Sequence, residues 1–140
     1  MIRIFLDANV LVSVLNKEYP LFTYSSRILS LASNPKFHVY TSPLCLAIAF
    51  YFAEKKHKSA LAKQKIDLLC QHIKIAENLT DGVIRTLSNK KINDFEDGLE
   101  YYAAKEVKCN CIVTEDTEDF YFSEIEVLNC KDFFSRYLLN

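Results

Sequence analysis

Short apolar runs of strand length alternate with longer stretches of helical periodicity along this chain, and that alternation limits the folds open to it. The runs are "IRIFL" (2–6), "FHVYT" (37–41), "IKIA" (73–76), "CIVT" (111–114) and a short fifth, "IEVLN" (125–129). Between the first two, "PLFTYSSRILSLASN" (20–34) repeats apolar residues at helical spacing and stops at Asn34-Pro35, a helix end. Ser42 followed by Pro43 reads as the cap and first position of a helix. Its body, "LCLAIAFYFA" (44–53), is apolar nearly all round until Glu54, which predicts burial on several sides or a subunit contact. "KSALAKQKIDLLCQHI" (58–73) is more amphipathic, and Thr80 can cap a helix running to about Asn89. "NDFEDGLEYYAAKEVK" (93–108) is another helix, and Asp132 opens a terminal one. Strands that alternate with helices or helix pairs imply an α/β/α sandwich of three layers, with a central parallel sheet of four to five strands. The expected organisation is one domain over residues 1–140.

The formal net charge of -1 excludes a broadly basic nucleic-acid module, though not an enzyme that grips nucleic acid locally. Half the residues are hydrophobic, so a disordered chain is also excluded. No apolar run reaches membrane-spanning length, and "MIRIF" lacks the basic stretch and apolar core of a signal peptide. The five cysteines, an odd number without an export signal, read as reduced thiols of a cytoplasmic protein. Cys109 and Cys111 form C-x-C with no second pair at zinc spacing, so they read as core residues.

Ligands of a parallel sheet sit beyond the C-terminal ends of its strands. Asp7 lies at one such end, and "CIVTEDTEDF" runs from Thr114 into Glu115, Asp116, Glu118 and Asp119 at another. The helix before it places Asp94, Glu96 and Asp97 in its first turn, facing the same edge. Each set alone has a plain structural explanation. Asp7 or Asn9 can cap the following helix, acids complement a helix dipole, Asp94 and Asp97 resemble a capping box, and "TEDTED" can be a solvated loop. Together, carboxylates a few ångströms apart repel. Nothing close in sequence supplies enough cations, so a hard divalent ion, Mg²⁺ or Mn²⁺, is the natural neutraliser. A carboxylate cage of this kind suits phosphodiester hydrolysis. Other schemes lack their residues. Gly82 and Gly98 are the only glycines, which leaves no phosphate-binding loop and no dinucleotide fingerprint. There is no G-x-S-x-G elbow, and His38, His57 and His72 are scattered.

These blocks resemble the PIN domain, in particular the bacterial VapC-like toxins. "IFLDANVLV" resembles F-L-D-T-N-V-L-L, "DFEDGLEYYAA" resembles D-F-E-D-A-L-Q-Y-A-A, and "CIVTEDTEDF" resembles I-V-T-R-N-x-x-D-F, in that order along nearly the whole chain. The resemblance implies Mg²⁺- or Mn²⁺-dependent cleavage of RNA by the toxin of a toxin–antitoxin pair. It implies Asp7, Asp97 and Asp116 as metal ligands, with Asp119 as a further catalytic acid. Asn9, Thr114 and Glu96 would support them, Asn9 by orienting Asp7 or the turn around it. It further implies a cognate antitoxin and a second copy of the chain as partners. Lys55, Lys56, Lys58, Lys90 and Lys91 can grip RNA or form a solvated face. The chain departs from the pattern at Ala8 (for Thr), at Glu115 (for Arg) and at Ile48, where many relatives place a glutamate. Glu54 lies about 120° round the helix from Ile48 and does not replace it. A PIN-like module that binds RNA or protein without cleaving is therefore the alternative reading.

Overall fold

Ile2–Leu6 (β1) is the middle strand of a five-stranded, all-parallel sheet. The computed structural model describes residues 1–139. After β1 come helices Ala8–Leu15 (α1) and Phe22–Leu29 (α2), strand Phe37–Thr41 (β2), helices Pro43–His57 (α3) and Ser59–Cys70 (α4), and strand Lys74–Ile75 (β3). Helices Thr80–Ser88 (α5) and Phe95–Glu106 (α6), strand Cys111–Val113 (β4), strand Glu126–Leu128 (β5) and helix Cys130–Tyr137 (α7) complete the chain. The strand order is β3-β2-β1-β4-β5. Ile4, Phe5 and Leu6 are all fully buried although successive side chains point to opposite faces, so helices cover both sides of the sheet. Fold class and strand number thus match the alternation of apolar runs. Among the described residues, no helix is long and apolar enough to cross a membrane.

Several boundaries differ from the sequence reading, each for a local reason. The stretch 20–34 is not one α-helix: α2 tightens into a 3₁₀ turn at Ser30–Ser33, a common way for a helix to end. Lys58, with φ of 72°, breaks the chain between α3 and α4. Thr80 does not cap α5; it is the first helical residue, and Leu79 holds the cap position without a side-chain bond. The terminal helix opens at Cys130, because Asn129 is its cap and accepts from the Asp132 N–H at 2.8 Å. Ser42 caps α3 as expected, accepting from the Cys45 N–H at 3.3 Å. In α3 only Cys45, Ala49 and Ala53, spaced four apart, are fully buried, which lets α3 lie close to α1. Tyr51 and Phe52, 50% and 46% exposed, face outward instead. Cys109 and Cys111 are buried in the core, and Cys111 belongs to β4.

Gly98 locks α6 against α5. A Cβ placed there would lie 2.3 Å from Thr86 Cγ2, a distance that no relaxed contact allows. Gly98→Ala is therefore expected to destabilise by about 1–3 kcal/mol from overpacking, despite alanine's better helix propensity. Adding Thr86→Ala should recover part of that loss, as a double-mutant cycle of urea midpoints would show.

Candidate active site

From β1 the sheet grows outward through β2 and β3, and the chain then returns to place β4 on the other side. The crevice between β1 and β4, with Leu6 beside Val113, is thus a topological switch point. Asp7 leaves β1 there and Thr114 leaves β4.

Asp7 is only 7% exposed and does two things at once. Its Oδ1 caps α1 by accepting from the Ala8 N–H at 2.6 Å, and its Oδ2 accepts from the Thr114 hydroxyl at 2.7 Å. A carboxylate has about four lone-pair positions, so capping leaves room for a ligand. The fully buried Thr114 hydroxyl also accepts from the Asp116 N–H at 3.0 Å and from the Asn9 amide at 3.3 Å. Asn9 bridges the two strand ends: it donates to Asp116 Oδ2 at 3.2 Å and accepts from the Glu115 N–H at 3.2 Å. Its link to Asp7 runs through Thr114. Thr114→Val keeps the shape but strands the Asp7 oxygen and the Asp116 N–H. The expected cost is about 1–3 kcal/mol, read from chemical denaturation.

From the facing side, Asp94 caps α6 by accepting from the Asp97 N–H at 3.1 Å, which turns Asp97 towards the strand ends. Burial raises the Asp97 carboxyl from its ordinary range to about 7, and the charges of Asp94, Asp119, Asp7 and Glu96 push the same way. Asp119 lies in a 3₁₀ turn, Thr117–Phe120, pinned by the buried Phe120 and by its own N–H donating to Asp116 O at 3.0 Å. Asp7, Asn9, Glu96, Asp97, Asp116 and Asp119 line one cavity of about 460 Å³, and Thr114 sits beneath it. Ile48 and Phe52 of α3 give that cavity an apolar wall.

Other residues turn away. Glu115 Oε2 accepts from the Cys130 N–H at 2.9 Å, at the start of α7. Lys56 donates to Asn16 O at 2.6 Å and Lys55 lies 4.2 Å over the Tyr51 ring. None of the five candidate lysines lines the cavity.

Two further residues, Glu100 and Cys45, adjoin this site without standing out in the sequence. Glu100 is 3% exposed and accepts from the Cys45 thiol at 3.1 Å. Its carboxyl is raised to about 11, by burial first and then by its contact with Asp7. Burial first, and the charge of Glu100 next, raise the Cys45 thiol. The available signal was spacing, since Glu100 follows Asp97 by three residues and shares its helix face. Among the described residues no lysine or arginine lines the cavity, and the ion pairs Arg85–Asp81 and Arg136–Glu126 lie elsewhere. Oxygen donors without a cationic partner are a donor set that fits a divalent cation.

The PIN domain family model matches residues 3–118. Ribonuclease VapC1 of Aquifex aeolicus (strain VF5) is 28% identical over 139 residues, which cover 96% of this chain and 95% of that protein. Among solved structures, VapBC2 from Rickettsia felis, bound to a DNA fragment from its promoter, superimposes with a TM-score of 0.69 at 19% identity, over 91% of this chain and 98% of that one. Mycobacterium tuberculosis VapC20, a Sarcin-Ricin loop cleaving toxin, gives 0.62 at 14% identity, over 78% of this chain and 86% of the other. A match of this extent, on a chain whose acids converge at the switch point, means that the chain belongs to the PIN domain family.

Proposed function

We propose that this chain is a Mg²⁺- or Mn²⁺-dependent endoribonuclease, acting as the toxin of a toxin–antitoxin pair. One observation carries the reading: Asp7, Asp97 and Asp116, from three separate segments, line a single cavity that holds no cationic side chain among the described residues. Those three acids would hold the ion, which when bound neutralises the carboxylates and polarises the scissile phosphodiester. The chain's own contribution is to fix the acids beforehand. Thr114 and the Ala8 N–H hold both Asp7 oxygens, Asn9 ties Asp116 to the end of β1, and the Asp94 cap turns Asp97 inward. Asp119 flanks the cavity from the 3₁₀ turn, and Glu96 stands beside it in the first turn of α6.

Similarity to a ribonuclease and to a Sarcin-Ricin loop cleaving toxin supports RNA as substrate, and similarity to VapBC2 supports an antitoxin as partner. The exposed Tyr51 and Phe52 beside the cavity suit contact with a macromolecule, either RNA, the antitoxin or a second copy of the chain. The setting of such a pair is the cytoplasm. Incubation of the purified chain with structured RNA tests the reading. Cleavage is expected with Mn²⁺ and not with excess chelator; identical RNA profiles in both would remove the proposal. The second reading, a non-cleaving PIN module, draws on Ile48, which gives the cavity hydrocarbon where the family pattern has an acid. It predicts no effect of Mn²⁺ on melting temperature.

A further inference from the structure

The cavity has an apolar wall on its α3 side, where Ile48 and Phe52 stand. Next to that wall, a turn back along α3, lies a buried thiol that touches a buried acid. We propose that Glu100 is a metal-ligating acid of this site, set in place by Cys45, so that α6 supplies the carboxylate that α3 lacks. The proposal rests on the reading of the cavity as a divalent-cation centre.

Three observations carry it. Ligand-capable atoms of Asp7, Cys45 and Glu100 all lie within 4.8 Å of one another, and all three residues are buried. Glu100 also lines the cavity that Asp97 and Asp116 line, one helical turn beyond Asp97. Finally, the side chains it meets are a thiol and another acid, with no lysine or arginine at the cavity among the described residues. Two carboxylates withdrawn from water side by side are unfavourable unless a proton or a cation lies between them, and a divalent cation can take the place of that proton. Cys45 is the hydrogen-bond donor, so its sulfur orients Glu100 Oε1. A hard ion prefers the carboxylate oxygens to that sulfur. Asp97 and Glu100 then form an acid pair on one face of α6, opposite Asp7 and Asp116 at the strand ends.

A purely structural Glu100, tying α6 to α3 and β1 by hydrogen bonds, makes a different prediction. Glu100→Gln keeps size and hydrogen bonding and removes only the ligating charge. Binding of Mn²⁺ to the full-length chain can be followed by the paramagnetic resonance signal of the free ion, alongside the metal-free melting temperature. Wild type should bind Mn²⁺ and Asp7→Asn should lose it. Glu100→Gln should bind about tenfold or more weakly with its metal-free melting temperature unchanged or raised. Glu100→Asp keeps the charge on a shorter arm and should also bind more weakly; it serves as the second variant if Gln disturbs folding. Glu100→Gln binding Mn²⁺ within about twofold of wild type, while Asp7→Asn does not bind, overturns the inference and leaves the metal centre standing. A wild-type chain that binds no Mn²⁺ removes both.

Discussion

Asp7→Asn is expected to lower metal-dependent RNA cleavage at least about 100-fold without loosening the fold. Asparagine caps a helix about as well as aspartate, and its Oδ1 can still accept from the Ala8 N–H. What it cannot provide is the negative charge that holds a cation, since an amide is neutral, and its Nδ2 faces the Thr114 hydroxyl where Oδ2 accepted a hydrogen bond. Removing one of several mutually repelling acids relieves the metal-free cavity and offsets the lost hydrogen bond from Thr114, so the melting temperature with chelator should stay close to that of wild type. Rates and melting curves on the same preparation check both halves. A variant that loses activity because its melting temperature collapses would reduce Asp7 to a structural cap.

In the metal-free protein, stability is expected to fall as pH rises from about 5 to 8, and a divalent ion should cancel that fall. Asp97 is raised to about 7 and Glu100 to about 11, against ordinary values near 4 in the unfolded chain. Between its unfolded and folded values each group keeps a proton in the folded state that the unfolded state has lost. The folded state then binds more protons, so unfolding becomes easier as pH increases. For Asp97 the loss runs from about 4 to about 7, and for Glu100 it continues beyond neutrality. Binding of Mn²⁺ replaces the proton, and at 100 times its dissociation constant it stabilises by about 2.7 kcal/mol. For a chain of this size that is a rise of roughly 5–10 °C in melting temperature. Calorimetric scans at pH 5.5 and 8, with chelator and with Mn²⁺, separate the terms. A metal-free protein more stable at pH 8 than at pH 5.5 would contradict the environment described for these two acids.

Sheet and site differ in how far the sequence exposes them. Runs such as "IRIFL" and "CIVT" announce strands because residues buried on both faces of a parallel sheet are apolar without interruption. Asp7, Asp97 and Asp116 were legible as a group because a parallel sheet sends strand ends and the N-termini of the following helices to one edge. Glu100 was hidden for a physical reason: inside a helix, an acid three residues after another looks like surface periodicity, and only packing shows that it points inward. Cys45 was hidden likewise, as one small residue among apolar neighbours in α3. Asn9 stands apart from the Asp7 it follows, because contact across the β1–β4 crevice decides its partners. The outward turn of Tyr51 and Phe52 depends on which stripe of α3 meets α1, and a helix apolar nearly all round conceals that choice.

In the proposed function the acids at the β1–β4 edge form a metal-dependent nuclease centre. Asp97→Asn keeps the helix turn intact, since Asp94 caps α6 through the Asp97 backbone N–H rather than its side chain. Cleavage of one structured RNA by wild type and Asp97→Asn, side by side with Mn²⁺ and with chelator, is the most direct measurement. Cleavage by wild type with Mn²⁺ alone, and at most about 1% of that rate in the variant, is the predicted result. Equal cleavage by both proteins, or cleavage indifferent to chelator, would contradict the account.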